Sequence, residues 1–224
     1  MPQATLHLPF SVPIIQFNLE MPYVDMLNEY ADKITADEKR SKELDWSDNL
    51  VGNVKQEHVI EEQMWLRCPE DNKDSLLGYM QVVGNHYIDN VYGKLPNEPN
   101  SYRGKAPKPQ ANELLVNTSW IVNQYAGDFN PPHMHYGHLS VAGWLKVPDC
   151  IAKGEERDEA GMFEFYHGSP QFMLDVKYPI KPEVGKFVMF PSWLQHTVYP
   201  FRGEGLRRSM SFNFILQMSK KKSK

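Results

Sequence analysis

Three of the chain's eight histidines fall within six positions, His133, His135 and His138 in "FNPPHMHYGHLS" (129–140). Imidazoles this dense belong to a metal site or to a polar turn. On an extended strand His133 and His135 flank Met134 and share one face, because side chains alternate. Two nitrogen donors on one face are half of a metal site, and a third must come from elsewhere. His196, in "GKFVMFPSWLQHTVYP", is the candidate: an apolar run ends at Phe190-Pro191, turns, and extends again. If the two strands lie side by side, three imidazoles face one ion and leave positions open for substrate and oxygen. His7, His58, His86, His138 and His167 lack this placement and read as surface or core histidines, with His138 alone left open.

A second constellation follows in "LRRSMSFNF". On a strand, Arg207, Ser209, Ser211 and Asn213 share one face, and Arg208, Met210 and Phe212 share the other. Taken alone, the polar row reads as a solvent face. Set beside a metal site, an arginine with a serine two residues on is suited to gripping a carboxylate, through a bidentate guanidinium and an added hydroxyl.

The elements that must position these residues change character near 114. The runs "LLVNTSWIVNQYA", "LSVAGWLKVP", "GMFEFYHG", "GKFVMFPSW" and "LRRSMSFNFILQM" are short, aromatic and β-branched, and turn signals separate them. This pattern predicts an antiparallel sandwich or barrel. Before it, residues 23–45 and 74–93 carry apolar positions at helical spacing. The opening "LHLPFSVPIIQFNL" reads as edge strand broken by proline, and the Pro- and Asn-rich stretch 94–113 as a long exposed loop. The expected architecture is mainly β with helices (α+β), one unit over 1–224: a supporting region 1–113, a β core 114–217 and a basic tail 218–224.

Bulk properties narrow the function classes. A net charge of −4 gives no general pull towards nucleic acid or an anionic membrane. Cys68 and Cys150 are the only cysteines and form no CxxC pair, which excludes a disulfide framework and suits a reducing cytoplasm. The first twenty residues lack a basic n-region and are interrupted by Pro9 and Pro13, so they do not read as a signal peptide. No apolar run reaches membrane-spanning length. A soluble, cytoplasmic protein is expected.

With these residues in view, the chain resembles a family of 2-oxoglutarate/Fe(II) oxygenases found in bacteria and marine phages. That family runs W-x-x-N-x-Y, H-x-H, a strand like S-G-V-Y-Y-L, F-P-S-W-L-x-H and R-x-S-x-x-F-N. The corresponding stretches are "WIVNQY" (120–125), "HMH" (133–135), "SVAGWLKVP" (140–148), "FPSWLQHTVYP" (190–200) and "RRSMSFN" (207–213). The resemblance is dense in the second half and thin in the first. It implies a double-stranded β-helix, or jelly roll, with N-terminal helices against one sheet. It implies Fe(II) on His133 and His196, and 2-oxoglutarate anchored by Arg207 and Ser209. It also implies Asn123 and Tyr125 near the cosubstrate, and Trp144 where a tyrosine often lines the same pocket. The reaction implied consumes O2 and releases succinate and CO2 while hydroxylating a C–H bond. If the gene is phage-borne, the compartment is the bacterial host's cytoplasm.

His135 departs from the wider superfamily, in which an acid usually completes the facial triad. The reading adopted is a three-histidine face of His133, His135 and His196, with recruitment of Asp128 and a site of two histidines only as the alternatives. The substrate stays open between a peptidyl or prolyl group and a small molecule. No basic groove with interleaved aromatics points to nucleic acid, none of the sequence points to a membrane, and a homodimer stays open. Two other classes remain: a cupin-like three-histidine metalloenzyme without 2-oxoglutarate, and a non-catalytic jelly-roll binding module.

Overall fold

A computed structural model describes residues 12–54, 56–70, 72–93, 114–152, 159–170, 172 and 175–216. The expected loop 94–113, the opening residues with His7, and the tail 218–224 lie outside the described residues.

The alternating runs after 114 form β3 (Leu114–Gln124), β5 (Leu139–Lys146), β6 (Phe163–Tyr166), β8 (Lys186–Pro191) and β10 (Arg207–Leu216). Four further short strands carry weaker sequence signals: β2 (Gln56–Val59), β4 (Asn130–His133), β7 (Lys177–Ile180) and β9 (Gln195–Val198). With β1 (Ile15–Asn18), they build two antiparallel sheets, ordered β1-β8-β5-β10-β3-β2 and β4-β9-β6-β7. The fold is a jelly roll with helices on one side. The N-terminal half closes both edges of the larger sheet, β1 against β8 and β2 against β3.

Helix α1 (Met21–Ala36) buries Tyr23, Val24, Met26, Leu27, Ala31 and Ile34. The helical pattern expected over 23–45 breaks in the middle. Asp37 leaves the helical region and its side chain accepts from Arg40 N, which stops α1 and starts α2 (Glu38–Glu43). After the single turn α3 (Glu62–Trp65), helix α4 (Leu76–Gly93) follows the expected 74–93 closely. Its Leu76, Met80, Tyr87 and Ile88 pack with α1 onto Ile121, Phe187, Met210, Phe212 and Phe214 of the larger sheet. A second apolar cluster, including Ala142, Trp144, Phe163, Phe165 and Phe190, fills the space between the sheets. The alternation of β10 is visible here: Met210, Phe212 and Phe214 face the helices, while Ser209 and Ser211 face the roll's interior.

Candidate metal and cosubstrate site

Pro131 and Pro132 have no N–H to donate, so β4 cannot hold a continuous ladder. It lies at the edge of the smaller sheet and pairs with β9 only at Asn130↔Val198 and His133↔His196. That pairing sets His133 directly across from His196. His135 lies beyond the end of the strand. The loop that carries it is tied to the β8–β9 turn by His135 N donating to Ser192 O and Ser192 N donating to His138 O. Gly137, with a left-handed φ of 131°, lets that loop turn close to Phe214 O.

The three imidazoles converge. One ring nitrogen of each lies within 4.8 Å of the others, and His135 Nε2 is 3.1 Å from His196 Nε2. Carbonyl oxygens can only accept, which fixes two tautomers. His133 Nδ1–H donates to Pro131 O at 2.8 Å, and His196 Nδ1–H donates to Leu194 O at 3.0 Å. Both Nε2 atoms therefore carry a lone pair, that of His196 facing His135 Nε2, in the orientation that outer hydrogen bonds impose on ligating histidines. Burial keeps all three rings neutral. It lowers His133, takes His135 down to about 4 with help from neighbouring His133, and pushes His196 well below the usual range. Phe163 stacks on the His196 ring at 5.2 Å, Phe190 meets it edge-on, and Trp120 lies 5.4 Å from His135.

These rings sit at the wall of a cavity of about 380 Å³. Ser209, Ser211 and Asn213 of β10 line it, with Trp120, Val122 and Gln124 of β3. Its outer wall includes Trp46, Leu50 and Val51 from the N-terminal half, with Met134 and Tyr136 from the histidine loop. Among the described residues, those lining the cavity include no Asp, Glu, Lys or Arg.

Several expected site residues stand elsewhere. Asn123 and Tyr125 do share the face of Ile121, but that face looks towards the helices. Asn123 bonds Arg208 and Gln56, and Tyr125 lies just past the end of β3, half exposed. The cavity face of β3 is the alternate one, a shift of one residue. Trp144 points into the roll but packs edge-on to Phe163 and does not line the cavity. Asp128 accepts from Tyr125 N and braces the 125–128 turn; it is not in the histidine group. Arg207 is fully buried, with Gln124 standing between it and the cavity. His138 accepts from Leu216 N and so belongs to the scaffold.

The cavity's outer wall and Gln124 are the parts of the cavity not foreseen. Gln124 could have been found from the period of two that links it to Trp120 and Val122. The wall could not, because Trp46 reaches the site only through β2 pairing with β3.

Residues 118–213 match the family model described as "Putative 2OG-Fe(II) oxygenase". Over that segment the chain matches the 2OG-Fe(II) oxygenase family. The matched residues include His133, His135, His196, Arg207 and Ser209. No curated protein matches the chain. Among solved structures, a Pseudomonas putida prolyl-4-hydroxylase aligns over 93% of this chain and 95% of its own, at 14% identity and a TM-score of 0.55. A Trichoplax adhaerens prolyl hydroxylase, in complex with a hypoxia inducible factor peptide fragment, aligns over 90% and 83%, at 12% identity and a TM-score of 0.51. The non-heme alpha ketoglutarate dependent carbocyclase SnoK aligns over 92% and 80%, at 13% identity and a TM-score of 0.53. At such identities the likeness is one of fold alone, the jelly roll. Among the described residues, no helix is long and apolar enough to cross a membrane.

Proposed function

We propose that this protein is an Fe(II)- and 2-oxoglutarate-dependent oxygenase that hydroxylates a C–H bond of a peptide or small-molecule substrate. The observation that carries this reading is the convergence of three neutral imidazoles, two with their Nε2 lone pairs fixed, on the wall of a cavity inside a jelly roll. The donors fit the metal. Three nitrogen ligands on one side leave the opposite side for cosubstrate and oxygen. When bound, Fe(II) and 2-oxoglutarate supply the oxidising chemistry: O2 is consumed, one oxygen enters the substrate C–H bond, and 2-oxoglutarate leaves as succinate and CO2.

The chain's own residues have the remaining tasks. His133, His135 and His196 hold the ion, and the Pro131 and Leu194 carbonyls hold two of those rings in register. Phe163 and Phe190 keep water from the buried side of His196. Ser209, with Arg207 behind Gln124, receives the distal carboxylate of 2-oxoglutarate. Trp46, Leu50, Val51, Met134 and Tyr136 shape the mouth against which substrate rests. In this reading 114–217 carry the chemistry and 1–113 support them as one oxygenase unit.

The test is an anaerobic titration. Metal-free protein is loaded with Fe(II), and 2-oxoglutarate is added while the visible iron-to-keto-acid charge-transfer band is followed. A saturable band that His196→Ala abolishes is expected. Iron binding without the band would favour a three-histidine metalloenzyme that uses no 2-oxoglutarate. The placement of Gln124 between Arg207 and the cavity is the observation on that side. No iron binding would leave a jelly-roll binding module.

A further inference from the structure

Arg207 is fully enclosed, and among the described residues every acceptor it meets is neutral. Nη1 donates to Gly161 O at 2.6 Å and, more weakly, to Tyr199 O. The edge formed by Nε and Nη2 points at Gln124 Oε1, at 3.0 and 2.8 Å, and Nη2 also reaches Tyr199 O at 3.4 Å. That edge is the fork a carboxylate takes bidentately, with charge-assisted bonds roughly twice as strong as neutral ones. Gln124 is itself buried and lines the cavity, so its amide separates the guanidinium from the space in which a ligand would sit. The amide's other end is also committed. Gln124 Nε2 donates to Asn130 Oδ1 at 2.8 Å, and Asn130 Nδ2 donates to Val51 O at 2.8 Å in the outer wall.

We propose that Gln124 is a latch: its amide oxygen holds the Arg207 fork in place of a carboxylate, and the distal carboxylate of an entering dicarboxylate displaces it. The inference rests on the function proposed above and adds a residue and a sequence of events to it. In the free protein the latch satisfies a buried cation that, among the described residues, no acid bonds directly, Asp128 acting on it only at longer range. In the bound protein the carboxylate takes over both N–H groups, and the freed amide turns away from Arg207. Because the same amide holds Asn130, and Asn130 holds Val51, displacement reaches the wall at the cavity mouth.

A residue that merely positions Arg207 and a residue that competes for it give opposite signs. Removing the competitor leaves Arg207 short of acceptors only in the free state, so ligand binding tightens. The experiment is anaerobic calorimetry of 2-oxoglutarate into Fe(II)-loaded full-length protein, for wild type, Gln124→Met, Gln124→Ala, Gln124→Glu and Arg207→Ala. Gln124→Met keeps the packing volume and Gln124→Ala removes it, and either is expected to lower Kd at least threefold. Both are expected to lower the melting temperature without ligand and to regain most of the loss when Fe(II) and 2-oxoglutarate are saturating. Gln124→Glu places a fixed carboxylate on the fork and is expected to raise Kd more than tenfold with iron binding retained. An unchanged or raised Kd in the Met and Ala variants, with wild-type binding intact and lost in Arg207→Ala, overturns the latch and leaves the oxygenase reading standing. Absence of 2-oxoglutarate binding in wild type overturns that reading, and the latch with it.

Discussion

At the residue scale, burial decides which groups do chemistry and in which protonation state. Desolvation disfavours charge, so the three clustered histidines stay neutral and keep their lone pairs at physiological pH. His135 occupies the position where an acid is more usual, and its nitrogen lies within reach of His196. His135→Ala is expected to weaken Fe(II) binding at least tenfold, read by anaerobic metal titration; unchanged affinity would remove it from the site. Glu57 shows the same physics in an acid. It is almost wholly buried, its Oε1 has no hydrogen-bond partner among the described residues, and burial, then Asp45 and Asp128, raise it to about 7. A carboxyl whose folded value lies above its unfolded one binds more protons when folded. Its stabilising contribution is present at low pH and is lost as pH rises through about 7. Glu57→Gln is therefore expected to raise the melting temperature more at pH 8 than at pH 5, by differential scanning fluorimetry.

At the element scale, breaks matter as much as periodicities. Asp37 divides one amphipathic stretch into two helices, and Pro131-Pro132 limit β4 to the two pairings that bring His133 opposite His196. Close approach between strands has its own requirement. Gly143 of β5 pairs with Phe187 of β8, and a Cβ at Gly143 would lie 2.1 Å from Phe187 ring atoms. Gly143→Ala is expected to cost about 1–3 kcal/mol by overpacking, measured by urea denaturation with an unchanged m-value. The strand patterns of β3, β5, β6, β8 and β10 were legible because each alternates or is uniformly apolar over several residues. β2, β4 and β7 were harder to read, since four-residue strands at sheet edges need few apolar residues and β4 consists half of proline.

At the scale of the whole molecule, the larger sheet separates two cores, helices on one side and the site on the other. The adjacent arginines 207 and 208 fall to opposite sides of it. Arg208 faces α1, where it pairs with Asp32 at 2.8 Å and bonds Asn28 and Asn123. It clamps the helical layer to the sheet. Asp32→Ala leaves that buried guanidinium without its carboxylate and is expected to cost about 1–3 kcal/mol. Because the clamp lies across the sheet from the histidines, Fe(II) affinity should be unchanged. A parallel loss of iron binding would show that the two layers are not independent.

The sequence by itself determined what local chemistry encodes: the fold class, the two long helices, the HxH pair with a distant third histidine, and the polar face of β10. Spacing along one strand reports which residues share a face. It does not report which face is turned inward, because the backbone repeats identically on both sides until packing chooses. Only the tertiary structure decided that Trp120, Val122 and Gln124, rather than Asn123 and Tyr125, meet the cavity, and that Gln124 stands before Arg207. Only it placed Trp46 at the mouth, through pairings between residues more than sixty positions apart in sequence. Neither outcome is local, and both follow from the helices covering one face of the larger sheet and leaving the other to enclose the site.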